Sequence, residues 1–274
     1  MKRLSISTII GLGIGVLCVV SGIYQAGSFR SFYNLPSIFI IVGGTTGAVI
    51  TSFPPKQLKT LGAVIRKGFR KERADFSKDI QTIVEISTYA RSKGTLALED
   101  LADQYASDPF LRKGILLIAD GVSKESLVSS LKTEIYYMKK RHQSGHAMMD
   151  MIADSVTSLG LLGTYVGLIP MLEHLEDPAS LGPLMAVELV SSFYGAFISY
   201  VVFGPLANRL KTMTADEVLR DTLIIEGLAA ILEGQNPRAI EERMVSSLTK
   251  KQARKMGRRK ANRDPIPLNS KGVA

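Results

Sequence analysis

Residues 4–29 read LSISTIIGLGIGVLCVVSGIYQAGSF, a run without one charged side chain, and residues 31–55 follow with a second that ends LPSIFIIVGGTTGAVITSFPP. Roughly 20 apolar residues suffice for a helix to cross the hydrocarbon core of a bilayer, since a helix satisfies its backbone polar groups internally. Both runs are long enough, and only Arg30 separates them. A third run occupies residues 155–172, between Asp154 and Glu173; a fourth occupies residues 181–208 and holds one charge, Glu188. The first run follows Lys2 and Arg3, as a signal peptide would. Its apolar part is too long for one, no small-x-small cleavage site follows, and another span comes at once, so it is expected to stay as a helix.

The 274 residues carry a formal charge of +9, with 46% hydrophobic and 22% charged residues. The charges are segregated from the apolar runs, which is the pattern of a membrane chain. Lysine and arginine are scarce between spans one and two and absent from EHLEDPASLGP between spans three and four. The positive-inside rule therefore places both termini and the long middle region in the cytoplasm. The reading is an all-α membrane protein with four transmembrane helices, a large helical cytoplasmic region between spans two and three, and a cytoplasmic C-terminal tail. It divides the chain into spans one and two (1–55), the cytoplasmic region (56–153), spans three and four (154–208) and the tail (209–274). Cys18 is the single cysteine, so no disulfide framework is possible. His142 and His146 have i,i+4 spacing but no evident third ligand, which argues against a metal site.

In FSKDIQTIVEISTYARSKGTLALEDLADQY, Ile80, Ile83, Val84, Ile86 and Ala90 recur at helical spacing. Gly94 is expected to break this helix and a second to start near Thr95. Asp108-Pro109 starts a third that Gly121 ends, and residues 123–151 form a long helix running into span three. The tail from Lys250, KKQARKMGRRKANRD, lacks the interleaved aromatics of a base-stacking segment. It reads as a topology determinant or an attraction to anionic lipid, not as a nucleic-acid site.

Carboxylates are expensive inside a bilayer and mark function there. In span three, Asp154, Thr157, Leu161, Thr164 and Leu168 share one helical stripe; in span four, Glu188, Ser191, Ser192, Gly195 and Ser199 share another. One reading is a polar cation track lined by both stripes. The other is that the hydroxyls bond their own helices and pack closely. Two stripes with two carboxylates favour the track. Gly160, Gly163 and Gly167, like Gly11, Gly15, Gly43, Gly44 and Gly47, suggest close helix approach. GLGIG lies inside a span with no preceding strand, so it is no dinucleotide fingerprint. No nucleophile–base pair, Walker motif or metal signature occurs, and an enzyme is not expected.

The stretch from residue 163 to 210, GTYVGLIPMLEHLEDPASLGPLMAVELVSSFYGAFISYVVFGPLANRL, then IIEGLAAILEGQNPRAIEERM, resembles the MotA/PomA family of flagellar motor stators. VGGTTGAVITSFP, ARSKGTLALE and RHQSG share the resemblance, which covers the chain to about residue 248 and is closer to the sodium-driven members (PomA, MotP). It implies a pentameric ring in the cell inner membrane around a MotB/PomB-type partner, with ion flow turning the ring against the rotor protein FliG. It implies no cofactor beyond the transported Na+ or H+. By motif position, Arg91 and Glu99 would engage the rotor, although an ordinary surface pair is the bland reading. Pro205 matches the family proline at the inner end of span four, where it is placed to kink the helix. Thr164 matches the threonine of sodium-type members, and Ser191 and Ser192 stand where those members carry threonines.

Two positions depart from the family. Thr157 replaces a proline near the inner end of span three, so no kink is required there. Glu188 replaces a small or apolar residue, adding an ion site or a protonated carboxyl. The competing classes are an energiser subunit of the ExbB/TolQ type, a stand-alone channel or transporter, and a membrane-anchored scaffold. Energiser subunits typically have three spans, and transporters repeat their halves; this chain does neither.

Overall fold

The computed structural model describes residues 5–25, 27, 29–70, 76–176 and 178–248. The Lys2–Arg3 pair and the basic tail from Lys250 lie outside the described residues. Among the described residues the regular structure is helical. In chain order it comprises α1 (Ile6–Gln25), a 3-10 turn (Phe29–Phe32), α2 (Leu35–Ile38), a π turn (Phe39–Gly43), α3 (Gly44–Ser52), α4 (Pro55–Leu58) and α5 (Leu61–Gly68). Then come α6 (Phe76–Lys93), α7 (Leu98–Ala102), a 3-10 turn (Asp103–Tyr105), α8 (Pro109–Ala119) and α9 (Lys124–Glu173). Last are α10 (Pro178–Phe197), a second π turn (Ile198–Phe203), α11 (Gly204–Leu232) and α12 (Pro237–Ser246). Among the described residues, four segments are long and apolar enough to cross a membrane: Ile6–Gln25, Leu35–Ser52, and stretches within Lys124–Glu173 and Leu181–Leu232. These coincide with the four apolar runs.

The chain forms two compact units, one from Met1–Glu72 with Lys139–Ala215, the other from Arg73–Met138 with Asp216–Ala274. Helices α9 and α11 contribute residues to both, so helix continuity does not stop where the apolar runs do.

The second unit is built as its periodicity requires. Ile80, Ile83 and Ile86 are fully buried on α6, against Ile115 and Ile118 of α8, Leu228 of α11 and Ile240 of α12. The Asp108 side chain accepts the Leu111 N–H at 3.2 Å, capping α8 with Pro109 in its first turn. Gly94, at φ 86°, ends α6 in the left-handed region that glycine enters without strain. The segment after it differs in detail from expectation: the Thr95 carbonyl accepts Leu98 N–H in a turn, and α7 starts three residues later, at Leu98. Arg220 ties the unit's polar side together. It bonds Asp79 at 3.1 Å and Asp221 at 3.3 Å and also pairs with Asp108. Asp221 is nonetheless pushed up to about 7, mainly because burial disfavours its charge, with Arg220 opposing.

The first unit contains the remaining apolar helices. Helix α1 has no buried residue, but Gly15 lies where a Cβ would come within 2.9 Å of Val201 Cγ1. Helix α5 packs on α11, with Gly68 facing Leu206, and its last carbonyls are held by Arg209, whose Nε donates to Gly68 O at 2.6 Å and whose guanidinium also reaches Arg70 O at 2.9 Å. A cation at a helix C-terminus suits both the orphan carbonyls and the dipole. Pro205 does not break its helix. Proline offers no N–H to residue 201 and its ring crowds that carbonyl. The π turn just before it, in which Gly204 N–H reaches Ser199 O, takes up the misfit. At Thr157, where the family proline is missing, α9 runs on without interruption.

Candidate functional site

Spans three and four meet through a seam of small residues. A Cβ on Gly160 would lie 2.8 Å from Gly195 Cα and 3.0 Å from Ser191 O. One on Gly163 would lie 2.5 Å from Ser191 Cβ, and one on Gly167 2.8 Å from Glu188 N. Helices come this close only where at least one of them presents a glycine. The other expected glycines divide: Gly15 and Gly44 touch Val201 and Leu159, whereas Gly11, Gly43 and Gly47 meet nothing within 4 Å.

The two hydroxyl stripes do not face each other within the chain. Successive helical residues diverge by about 100°, so with Gly163 directed at Ser191, Thr164 is turned away from it. Thr164 Oγ1 donates to Leu161 O at 2.6 Å and Thr157 Oγ1 to Ala153 O at 3.1 Å, both on their own helix. Ser191 is fully buried and donates to Ser37 Oγ at 2.7 Å, between α10 and α2. Ser192, the next residue, is exposed. Asp154 is exposed, Thr157 and Thr164 are half-buried, and Leu161 between them is exposed, so this stripe forms an open face of α9. Glu188 is half-buried with its backbone against Gly167.

Two polar residues of span two escaped the sequence reading. Ser37 accepts from Ser191 and itself lies 2.9 Å from Asn34 Oδ1, the cap of α2. The signal was available, since Asn-Leu-Pro-Ser is an N-terminal helix pattern. Thr45 is buried, and its hydroxyl has no hydrogen-bond partner. It borders an apolar groove of about 440 Å³ lined also by Ile41, Val49, Ile152 and Phe203. Only packing reveals it.

Arg91 and Glu99 are both exposed, on either side of the Gly94 turn. Arg91 stands in the last turn of α6 and Glu99 in the first turn of α7, so each also complements its helix dipole.

A helical chain with four apolar spans, a glycine seam and an open polar stripe has the features of an ion-translocating membrane subunit. The model of the MotA/TolQ/ExbB proton channel family matches residues 102–222. Motility protein A of Cereibacter sphaeroides is 38% identical over 92% of this chain and 98% of its own length. Chemotaxis protein PomA of Vibrio alginolyticus is 36% identical over 87% of this chain and 93% of its own. Among solved structures, the flagellar MotAB stator complex from Bacillus subtilis superposes with a TM-score of 0.83 at 31% identity, covering 93% of this chain and 98% of that one. The chain belongs to the MotA/TolQ/ExbB proton channel family, among its MotA-type stator subunits.

Proposed function

We propose that the chain is the ion-conducting stator subunit of a bacterial flagellar motor. It works in the cell inner membrane with a MotB/PomB-type partner, as a pentameric ring with both termini and the unit containing Arg91 and Glu99 in the cytoplasm. Ion flow past the partner turns the ring, and Arg91 and Glu99 bear on FliG. The observation that carries this reading is the open stripe of Asp154, Thr157 and Thr164 on α9. It lies beside a face already sealed by Gly160, Gly163 and Gly167. A polar stripe on a membrane helix that its own chain leaves uncovered calls for a second wall, which a partner span would supply.

Sodium is the proposed ion. Thr164 supports it, since its oxygen can replace a lost hydration ligand; Ser192 adds an exposed hydroxyl on α10, and Glu188 a carboxylate. The similarity to PomA and to motility protein A is nearly equal, so the choice rests on these oxygens. The test is swimming of a stator-less host carrying this chain with its partner, in sodium and in sodium-free medium. Sodium-dependent swimming is expected. Equal swimming in both media overturns the sodium assignment, and no swimming in either overturns the stator assignment.

A further inference from the structure

A polar cluster in the first unit lies apart from the stripe and the seam. His142 and His146 project from α9 one turn apart, and both reach one hydroxyl on α11. Thr214 Oγ1 lies 3.3 Å from His142 Nδ1 and 3.1 Å from His146 Nε2. The far nitrogen of His142, Nε2, is 3.4 Å from Lys67 Nζ on α5. Thr214 is buried and both imidazoles are half-buried. Between them, Gly145 lets α5 pack directly on α9, for a Cβ there would meet Val64 Cγ2 at 3.2 Å. Three elements thus converge on one chain of contacts.

Proton counting fixes how the chain can be made. An ammonium only donates, so Lys67 requires a lone pair on His142 Nε2. The neutral ring then carries its proton on Nδ1 and donates it to Thr214. Thr214 Oγ1 then has its own proton and a second lone pair left, so it can meet His146 Nε2 as donor to a bare nitrogen or as acceptor from a protonated one. The full set of contacts therefore exists only with His142 neutral.

Burial, more than the charges around the cluster, opposes protonation of His146. Burial is the main cause that lowers the His146 pKa below its ordinary value, and Lys211 and Lys67 add to it, while Asp150 and the Leu210 carbonyl oppose. Asp150 is itself engaged by Lys211 Nζ at 2.8 Å. A proton on His142 would place an N–H against the Lys67 ammonium, two donors and two like charges at one contact. A proton on His146 Nε2 would instead reverse its contact with Thr214, the hydroxyl then accepting.

We propose that Lys67, His142, Thr214 and His146 form an acid-sensitive joint, closed while His142 is neutral and opened by its protonation, that fastens α5 to α9 and α11. A histidine pair is the side-chain set that changes charge in the mildly acidic range. Its place on α5, the second helix after span two, makes the attachment of that helix respond to pH on the side of the membrane it faces.

The direction is the same for both rings: the Lys67 contact is lost when His142 gains a proton, and burial disfavours a proton on His146. A base whose folded pKa is lowered contributes stability that is full above its unfolded value of about 6.5 and is lost as pH falls below it. Hydrogen–deuterium exchange of the full chain in detergent, between about pH 5 and 8, reads this directly. Exchange over Leu61–Gly68 is normalised to that of α8, to remove the intrinsic pH dependence. The normalised protection of α5 should fall about tenfold between pH 7.5 and 5.5. In the double variant His142→Gln, His146→Gln, which cannot titrate, it should stay flat. Unchanged wild-type protection overturns the proposal without any variant. A drop of the same size in a folded Gln variant overturns it as well.

Discussion

The glycine seam between spans three and four can be tested by adding one methyl group. In Gly160→Ala the new Cβ would lie 2.8 Å from Gly195 Cα and 3.0 Å from Ser191 O. Both atoms are backbone, so no rotamer change can yield. Carbon atoms pack best about 3.5–4.0 Å apart, so the helices must separate by roughly 1 Å, and a gap of that size forfeits a quarter to a half of each contact's attraction along the seam. Overpacking of this kind costs about 1–3 kcal/mol. At roughly 2–4 °C per kcal/mol for a chain of this order of size, the middle of that range, about 2 kcal/mol, lowers the melting temperature by about 4–8 °C.

The control is internal to the molecule. Gly11 and Gly47 meet nothing within 4 Å, so Gly11→Ala and Gly47→Ala should melt within about 2 °C of wild type, a surface substitution being worth about 0.5 kcal/mol or less. Gly163→Ala should be at least as damaging as Gly160→Ala, because its Cβ would lie 2.5 Å from both Cβ and Oγ of Ser191 and displace the Ser191–Ser37 hydrogen bond, worth about 1 kcal/mol. The measurement is thermal unfolding of the purified chain in one detergent, followed by loss of the monodisperse peak. Gly160→Ala melting with Gly11→Ala would refute the close crossing and the sealed seam together.

Four further outcomes are expected. Thr164→Ala should lower swimming speed several-fold at limiting sodium, measured in a stator-less host; speeds unchanged across sodium concentrations would remove Thr164 from the ion path. Charge reversal in Arg91→Glu or Glu99→Lys should slow tethered-cell rotation at unchanged membrane expression, and lost assembly would assign the pair a structural role instead. Arg220→Met leaves Asp79, Asp108 and Asp221 without the cation they share and should destabilise the second unit by about 3–5 kcal/mol, read by protease susceptibility of residues 76–138. Asp221, raised to about 7, contributes stability that is present at low pH and lost as pH rises towards 7; Asp221→Asn should therefore gain on wild type over that interval and hold its gain above it, and a difference flat with pH would refute the buried-carboxyl reading.

The elements of the fold were legible because their causes are local. A membrane helix needs a long apolar run whatever it packs against, and Asp108-Pro109, Gly94 and Gly121 carry their caps in adjacent residues. Pairing was less legible, because helical period tells which residues share a face but not the azimuth of that face towards its neighbour. Thr164 and Ser191 lie on the polar stripes that the sequence suggests, yet Gly163, one residue from Thr164, is what meets Ser191. Arg220 and Asp79 are 141 positions apart, and nothing in either neighbourhood marks the other. The π turn before Pro205 was half legible: proline announces a misfit but not whether the helix kinks or widens.

The seam also constrains where ions can pass. Gly160 and Gly195 stand so close that either Cβ would overlap the other's Cα, which leaves no room between spans three and four for a cation with any hydration. The serine most deeply placed there, Ser191, is already committed to Ser37. In the proposed complex the ion path would then run along the outer face of α9, past Leu161 and Thr164, with the partner supplying the other wall. Thr164 accordingly has a second, sharper signature: its substitution should change ion selectivity or swimming while leaving the melting temperature of the isolated chain within about 2 °C of wild type, since its hydroxyl bonds its own helix and a change at a half-buried surface position of this kind is worth about 0.5 kcal/mol. Gly160→Ala should do the reverse, lowering the melting temperature first and swimming only in consequence. A Thr164→Ala variant that melted early would mean that the stripe is packing and that the ion path lies elsewhere.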